Sequence, residues 1–77
     1  MRPKLEPVVS SNIAAVGYDK EIQTLFVQFK GRDTVYEHSG VPRLTYEIMM
    51  AAESIGSYYA RNIKKTYPGT AVVGDQS

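Results

Sequence analysis

Thr24-Leu25-Phe26-Val27-Gln28-Phe29-Lys30 alternates with period two, the most regular strand signature in the chain. In a strand this pattern sets Leu25, Val27 and Phe29 on one face and Thr24, Phe26, Gln28 and Lys30 on the other. Upstream, Ile13, Ala14, Ala15, Val16 and Tyr18 read as a first strand, closed by the polar turn Asp19-Lys20-Glu21. Downstream, Gly31-Arg32-Asp33 is a short connection into Thr34-Val35-Tyr36-Glu37-His38, whose β-branched and aromatic content predicts a third strand. Links this short imply a three-stranded antiparallel meander.

Ser39-Gly40-Val41-Pro42 breaks the sheet, with the proline at a helix start, where its missing N–H is not needed. In the helix that follows, Leu44, Ile48, Ala51 and Ala52 fall on the expected buried side, Arg43, Glu47 and Glu53 on the wet side, and Tyr46 and Met50 on the border. Ser54 is the expected N-cap of a second helix running to about Thr66 and ended by Pro68. Its packing arc is Ile55, Gly56, Tyr59, Ile63 and Tyr67, and its outward arc is Ser57, Tyr58, Arg61, Asn62, Lys64 and Lys65. The order β-β-β-α-α predicts a two-layer α+β domain with both helices on one face of the sheet.

With 77 residues, about half of the ~150 that serve as a one-domain prior, the chain has room for one small core. Residues 1–9, holding Pro3 and Pro7, read as an extended lead-in, 10–67 as the single domain, and 68–77 as a flexible tail after the Pro68-Gly69 turn. With 0 Cys and 1 His, neither a thiolate zinc site nor a multi-histidine metal site can form, and no metal or other cofactor is expected. Purely apolar runs are far shorter than the ~20 residues of a membrane span, and the start lacks a secretory signal, so a soluble cytoplasmic protein with no membrane partner is expected.

Alternation in the third strand pairs Val35 with Glu37 and Tyr36 with His38. Burial of an unpaired Glu37 would be costly. Tyr36 and His38 are therefore turned toward the helices, with their polar ends at the rim, and Phe26 and Val35 are left on an uncovered sheet face.

Enzymatic chemistry finds little support. His38 precedes Ser39, but consecutive strand residues point to opposite faces and cannot act as nucleophile and base. The isolated glycines make neither a P-loop nor a dinucleotide fingerprint, and Gly56 reads as a close contact between the two helices. Net charge is only +1, yet the charges are polarised. Residues 33–53 carry Asp33, Glu37, Glu47 and Glu53 against Arg43 alone, whereas 54–74 carry Arg61, Lys64 and Lys65 with no acid. Tyr58 shares its helix face with Arg61, Asn62 and Lys65, residue types that track a phosphate backbone and stack on an unpaired base. The same three cations also suit an ordinary solvated helix end favoured by the macrodipole.

The ordered strings Ser10-Ser11-Asn12-Ile13, Val16-Gly17-Tyr18-Asp19, Leu25-Phe26-Val27-Gln28-Phe29, Tyr36-Glu37-His38, Gly40-Val41-Pro42, Ala52-Glu53-Ser54-Ile55-Gly56, Tyr58-Tyr59 and Ile63 to Tyr67-Pro68 resemble the KTSC domain, a family named from lysyl-tRNA synthetase C-terminal extensions. The resemblance covers about residues 9 to 68. It implies a domain found as an appendage on some of those synthetases and as stand-alone small bacterial and phage proteins. RNA binding is the role implied by that context, and no catalytic residues are carried over. The family's Tyr-x-Tyr motif is matched at Tyr36 and departs at His38, while Gly40-Val41-Pro42 and Ser54-x-Gly56 match.

The expected function is a small non-enzymatic binding module. One surface is Tyr58, Arg61, Asn62, Lys64 and Lys65, with RNA or single-stranded nucleic acid as partner. The alternative is a protein-interaction or self-association surface around Phe26 and Val35, or around Tyr46 and Met50.

Overall fold

In the computed structural model, which describes residues 4–73, strands β1 (Glu6–Pro7), β2 (Ile13–Asp19), β3 (Thr24–Phe29), β4 (Thr34–His38) and β5 (Gly69–Val73) form one antiparallel sheet in sequence order. Helices α1 (Arg43–Ala51) and α2 (Ile55–Tyr58) lie between β4 and β5, and α2 runs directly into a π-helical turn, Tyr59–Ile63. The α+β class with an antiparallel sheet and two helices is as the sequence predicts. The strand count is not. The chain on either side of the meander supplies two further strands, and Gly69-Thr70-Ala71-Val72-Val73 shows no alternation of its own to announce one. It becomes a strand because β4 offers a free edge, against which it sets Gly69 opposite His38 and Ala71 opposite Tyr36. Residues 1–3 and 74–77, the ends of the expected lead-in and tail, lie outside the described residues.

The helix-facing rows of the ladder are Val16, Val27 and Tyr36, and Tyr18, Leu25 and His38. Ile13 and Val16 are three positions apart yet share the core, which strict alternation forbids. The register shift between Ile13 and Ala15 restores the match, as a bulge does by inserting one residue. Ile13, Val16, Leu25 and Val27 form one buried cluster with Val41, Met49, Tyr59 and Ile63, and Tyr18 packs against it, so both helical segments close the same core.

Three corrections concern faces. Phe26 and Val35 are 3% and 1% exposed rather than open to solvent. For Val35 the physical reason is the wider sheet: β4 is an interior strand, and Val35 sits between Gln28 and Val72 instead of on an edge, while Phe26, on the central strand, is flanked by Gly17 and Glu37. Helix α1 is turned from the expected phase, with Met49 fully buried, Tyr46 and Met50 half-buried against the core, and Leu44 and Ile48 66% and 46% exposed. Stacking of Tyr46 on Tyr18 (ring centroids 4.7 Å apart, 9° between planes) fixes that rotation. Gly56 does not accommodate α1. A Cβ there would meet Asn12 Oδ1 at 2.5 Å and Ser10 Oγ at 3.1 Å, so its bareness admits the turn leading into β2.

Two expected devices are present. The Ser54 hydroxyl oxygen accepts from the Ser57 N–H at 3.2 Å, capping α2. Gly40 takes φ 77°, a left-handed conformation available to glycine at little cost. This lets Val41 enter the core, where its N–H donates to Gln23 O (2.9 Å) and its carbonyl accepts from the Tyr18 hydroxyl (2.6 Å).

Candidate binding site

The second helical segment ends earlier than its sequence predicts, at Ile63, and in a wider turn. The Lys64 N–H donates to Tyr59 O at 2.9 Å, a five-residue step in place of the usual four. Tyr59 and Ile63 are buried by this turn, while Arg61, Asn62, Lys64 and Lys65 remain exposed. The Asn62 amide is partly committed to its own helix, donating to Tyr58 O at 3.4 Å. Tyr58 is half-buried against the core instead of standing free on the outer face.

His38 is far from the rim position its sequence predicts, at 2% exposed. Its Nδ1 lies 3.1 Å from Tyr67 O and its Nε2 2.8 Å from the Tyr59 hydroxyl. A carbonyl can only accept, so Nδ1 carries the proton and donates to Tyr67 O, and Nε2 accepts from Tyr59 O–H. One neutral imidazole thereby joins β4, the π turn and the segment entering β5. Burial pushes the His38 pKa down, opposed by the bond to Tyr67, and burial together with nearby Tyr36 pushes the Tyr59 phenol up to about 12. Both groups are held neutral, which suits a structural link and removes Tyr59 as a nucleophile near neutral pH. Gly69 is part of this link, since a Cβ on it would stand 2.6 Å from His38 Cε1.

Beside the link is a cavity of about 240 Å³, lined by Phe29, Tyr36, His38, Tyr59, Lys64 and Gly69. Its aromatic walls meet edge-on: Phe29 with Tyr36 at 5.6 Å and 77°, and Phe29 with Tyr59 at 5.6 Å and 71°. Phe29 and Tyr36 also border an open groove with Asn12, Lys30 and Arg32. The structure thus brings Lys64, from the expected basic helix, to Tyr36, from the family motif, and adds Lys30 and Arg32 on the far side. Sequence reasoning misses Phe29, Lys30, Arg32 and Tyr59 as site residues. Lys30 and Arg32 flank the β3–β4 turn, and the strand alternation that puts Phe29 on the same face as Tyr36 is the signal that could have found them.

Of the residues expected on the interaction surface, Phe26 and Val35 are internal and Tyr46 and Met50 half-buried. Gly40, Val41 and Pro42 build the turn into α1 and do not line the cavity. Among the described residues no group of three or more His, Asp or Glu side chains is placed to hold a metal ion. No helix among them is long and apolar enough to cross a membrane.

The KTSC domain model matches residues 9–67. A curated protein of Tsukamurella paurometabola is 35% identical over 68 residues, spanning 88% of this chain and 100% of its own length. The crystal structure of a KTSC domain protein from Yersinia pestis superposes with a TM-score of 0.83 at 30% identity, covering 90% of this chain and 96% of that one.

Proposed function

The chain belongs to the KTSC domain family, and from that premise we propose that it is a small non-enzymatic binding module whose ligand is single-stranded nucleic acid, RNA above all. The observation that carries the reading is the disposition of charge around half-buried aromatic surface. Lys30, Arg32, Arg61, Lys64 and Lys65 are all exposed, and none has an ion-pair partner among the described residues. The ion pair that does form there, Arg43 with Glu47 at 3.0 Å, belongs to the other helix. Of the unneutralised cations, Lys64, Lys30 and Arg32 line the recesses that hold half-buried Tyr36 and Phe29, the combination that tracks phosphates and stacks bases.

Titration of an unstructured RNA across a salt series tests this. Binding is expected to weaken steeply with salt, and replacing Arg61 and Lys65 with Ala should flatten the log–log slope by about 0.7 for each phosphate no longer neutralised. Absence of binding at low salt removes the reading.

The exposure of Leu44 and Ile48 on α1 favours a second reading, a protein-contact surface there in place of the buried Phe26 and Val35. Association through that stripe would be nearly indifferent to salt and would be lost in Ile48→Lys, as sedimentation of the two proteins side by side would show.

A further inference from the structure

The cavity between β4, β5 and the π turn has a more definite chemistry than the surface around it. Its volume of about 240 Å³ corresponds to about eight waters and is below the ~300 Å³ low end of pockets for drug-sized ligands. A lone inorganic anion would leave it largely empty, and a folded partner could not enter it. A single planar ring system fits.

The polar atoms narrow the guest further. Both His38 nitrogens are engaged, so His38 offers nothing. The Tyr59 hydroxyl spends its proton on His38 Nε2, so toward a guest it can act only as an acceptor, suited to a ring N–H or exocyclic amine. The Tyr36 hydroxyl has no hydrogen-bond partner among the described residues, and Lys64 supplies a cation. The edge-on contacts of Phe29 with Tyr36 and Tyr59 leave Tyr36 without a stacked partner there, unlike Tyr18, whose ring is closed against Tyr46.

We propose that this cavity seats one unpaired nucleotide, its base against Tyr36 with a donor on the Tyr59 oxygen and its phosphate on Lys64. This rests on the nucleic-acid reading for the chain that delivers the nucleotide. The neighbouring phosphates continue over Lys30 and Arg32, across the groove that shares Phe29 and Tyr36 with the cavity. Aromatic stacking supplies the affinity for the base, and the cations hold the backbone without reading sequence.

The test uses the full chain with three probes: an eight-nucleotide oligouridylate, an oligomer of the same length and charge carrying an abasic site at each position, and free uridine and adenosine monophosphates. The base-bearing oligomer should bind at least tenfold more tightly than the abasic one and shift the ring resonances of Tyr36, Phe29 and Tyr59. Tyr36→Ala should remove about a tenfold advantage of the base-bearing oligomer while leaving the abasic one unchanged. Lys64→Gln, at an exposed position that leaves the core intact, should weaken both and lower their salt dependence.

Equal binding of the two oligomers, or binding without ring shifts, overturns the seat while the nucleic-acid reading stands. If neither oligomer binds at low salt, the nucleic-acid reading fails, and the free monophosphates decide the seat. Ring shifts from them would assign it to a free nucleotide, and silence would overturn it.

Discussion

Tyrosines gather at both ends of the helix-facing sheet surface, and the two gatherings are built differently. Tyr18 and Tyr46 lie face to face, 4.7 Å apart, and the Tyr18 hydroxyl is tied to Val41 O at 2.6 Å. That pair closes its own π surface and fixes the rotation of α1. At the other end Phe29, Tyr36, Tyr59 and His38 meet edge to face, with the polar atoms of Tyr59 and His38 satisfying one another. The stacked pair borders an open cleft shared with the charged residues Asp19, Lys20, Glu21, Arg43 and Glu47, whereas edge-on packing around a hydrogen-bonded centre frames the more enclosed cavity. The contrast shows how the same residue type can finish a core or frame a site, according to whether its ring faces are used up internally.

Substitution at His38 should disturb the edge-on end most severely. His38→Ala removes a fully buried ring and leaves the Tyr59 hydroxyl and Tyr67 carbonyl without their partner, a loss of about 3–5 kcal/mol in urea denaturation. Tyr46→Leu, at the stacked end, should cost about 1 kcal/mol, since it keeps apolar bulk and loses mainly the aromatic pairing. Losses of equal size would show that the hydrogen-bonded centre has no special weight.

Alkaline pH should separate the two ends next. The folded state holds the Tyr59 proton to about pH 12 against 10.0 for the ordinary phenol. The unfolded chain releases it earlier, so this contribution is present below pH 10 and is lost as pH rises through about 12. It amounts to roughly 2–3 kcal/mol. Burial also raises Tyr18 and Tyr46, so the measurement is the difference between wild type and Tyr59→Phe, whose alkaline loss should be visibly smaller. His38 acts at the acid end. Its pKa is depressed, the unfolded chain binds the proton first, and stability is expected to fall as pH drops below 6.5 toward the folded value. A flat stability profile from pH 7 to pH 4 in this component, judged against His38→Gln, would contradict the buried neutral imidazole.

Gly69→Ala should cost about 1–3 kcal/mol, because its Cβ would press on a ring pinned at both nitrogens. Gly56→Ala makes an equally short contact, but with the exposed Asn12 side chain, which can move aside. A loss of under 1 kcal/mol is expected there, and the ranking of the two melting temperatures checks it. The smallest effect is at Leu44→Lys, on the exposed side of α1, expected within about 0.5 kcal/mol of wild type.

Much of this arrangement is legible in single stretches of chain. Leu25 and Val27 sit in the core as their alternation predicts, Ser54 caps its helix, and Gly40 turns where a break is expected. The rotation of α1 is not legible, because Leu44 and Ile48 on one flank of the Arg43–Glu47 wet side and Tyr46, Met49 and Met50 on the other are both apolar, and the pattern does not say which faces the core. Of the site, Lys64 and Tyr36 can be named from sequence, but not that they share a cavity, nor that Phe29, Lys30, Arg32 and Tyr59 complete it.

Residue order alone was enough for the succession β2, β3, β4, α1, α2, for the Ser54 cap and for the Gly40 turn, since those depend on residues within a few positions of one another. Assembly in three dimensions was needed to turn the flanking segments into β1 and β5, to place Phe26 and Val35 in the interior, and to bury His38 between Tyr59 and Tyr67. Each of these depends on which distant segment lies alongside, and a strand's pattern specifies its two faces but not the neighbours at its edges.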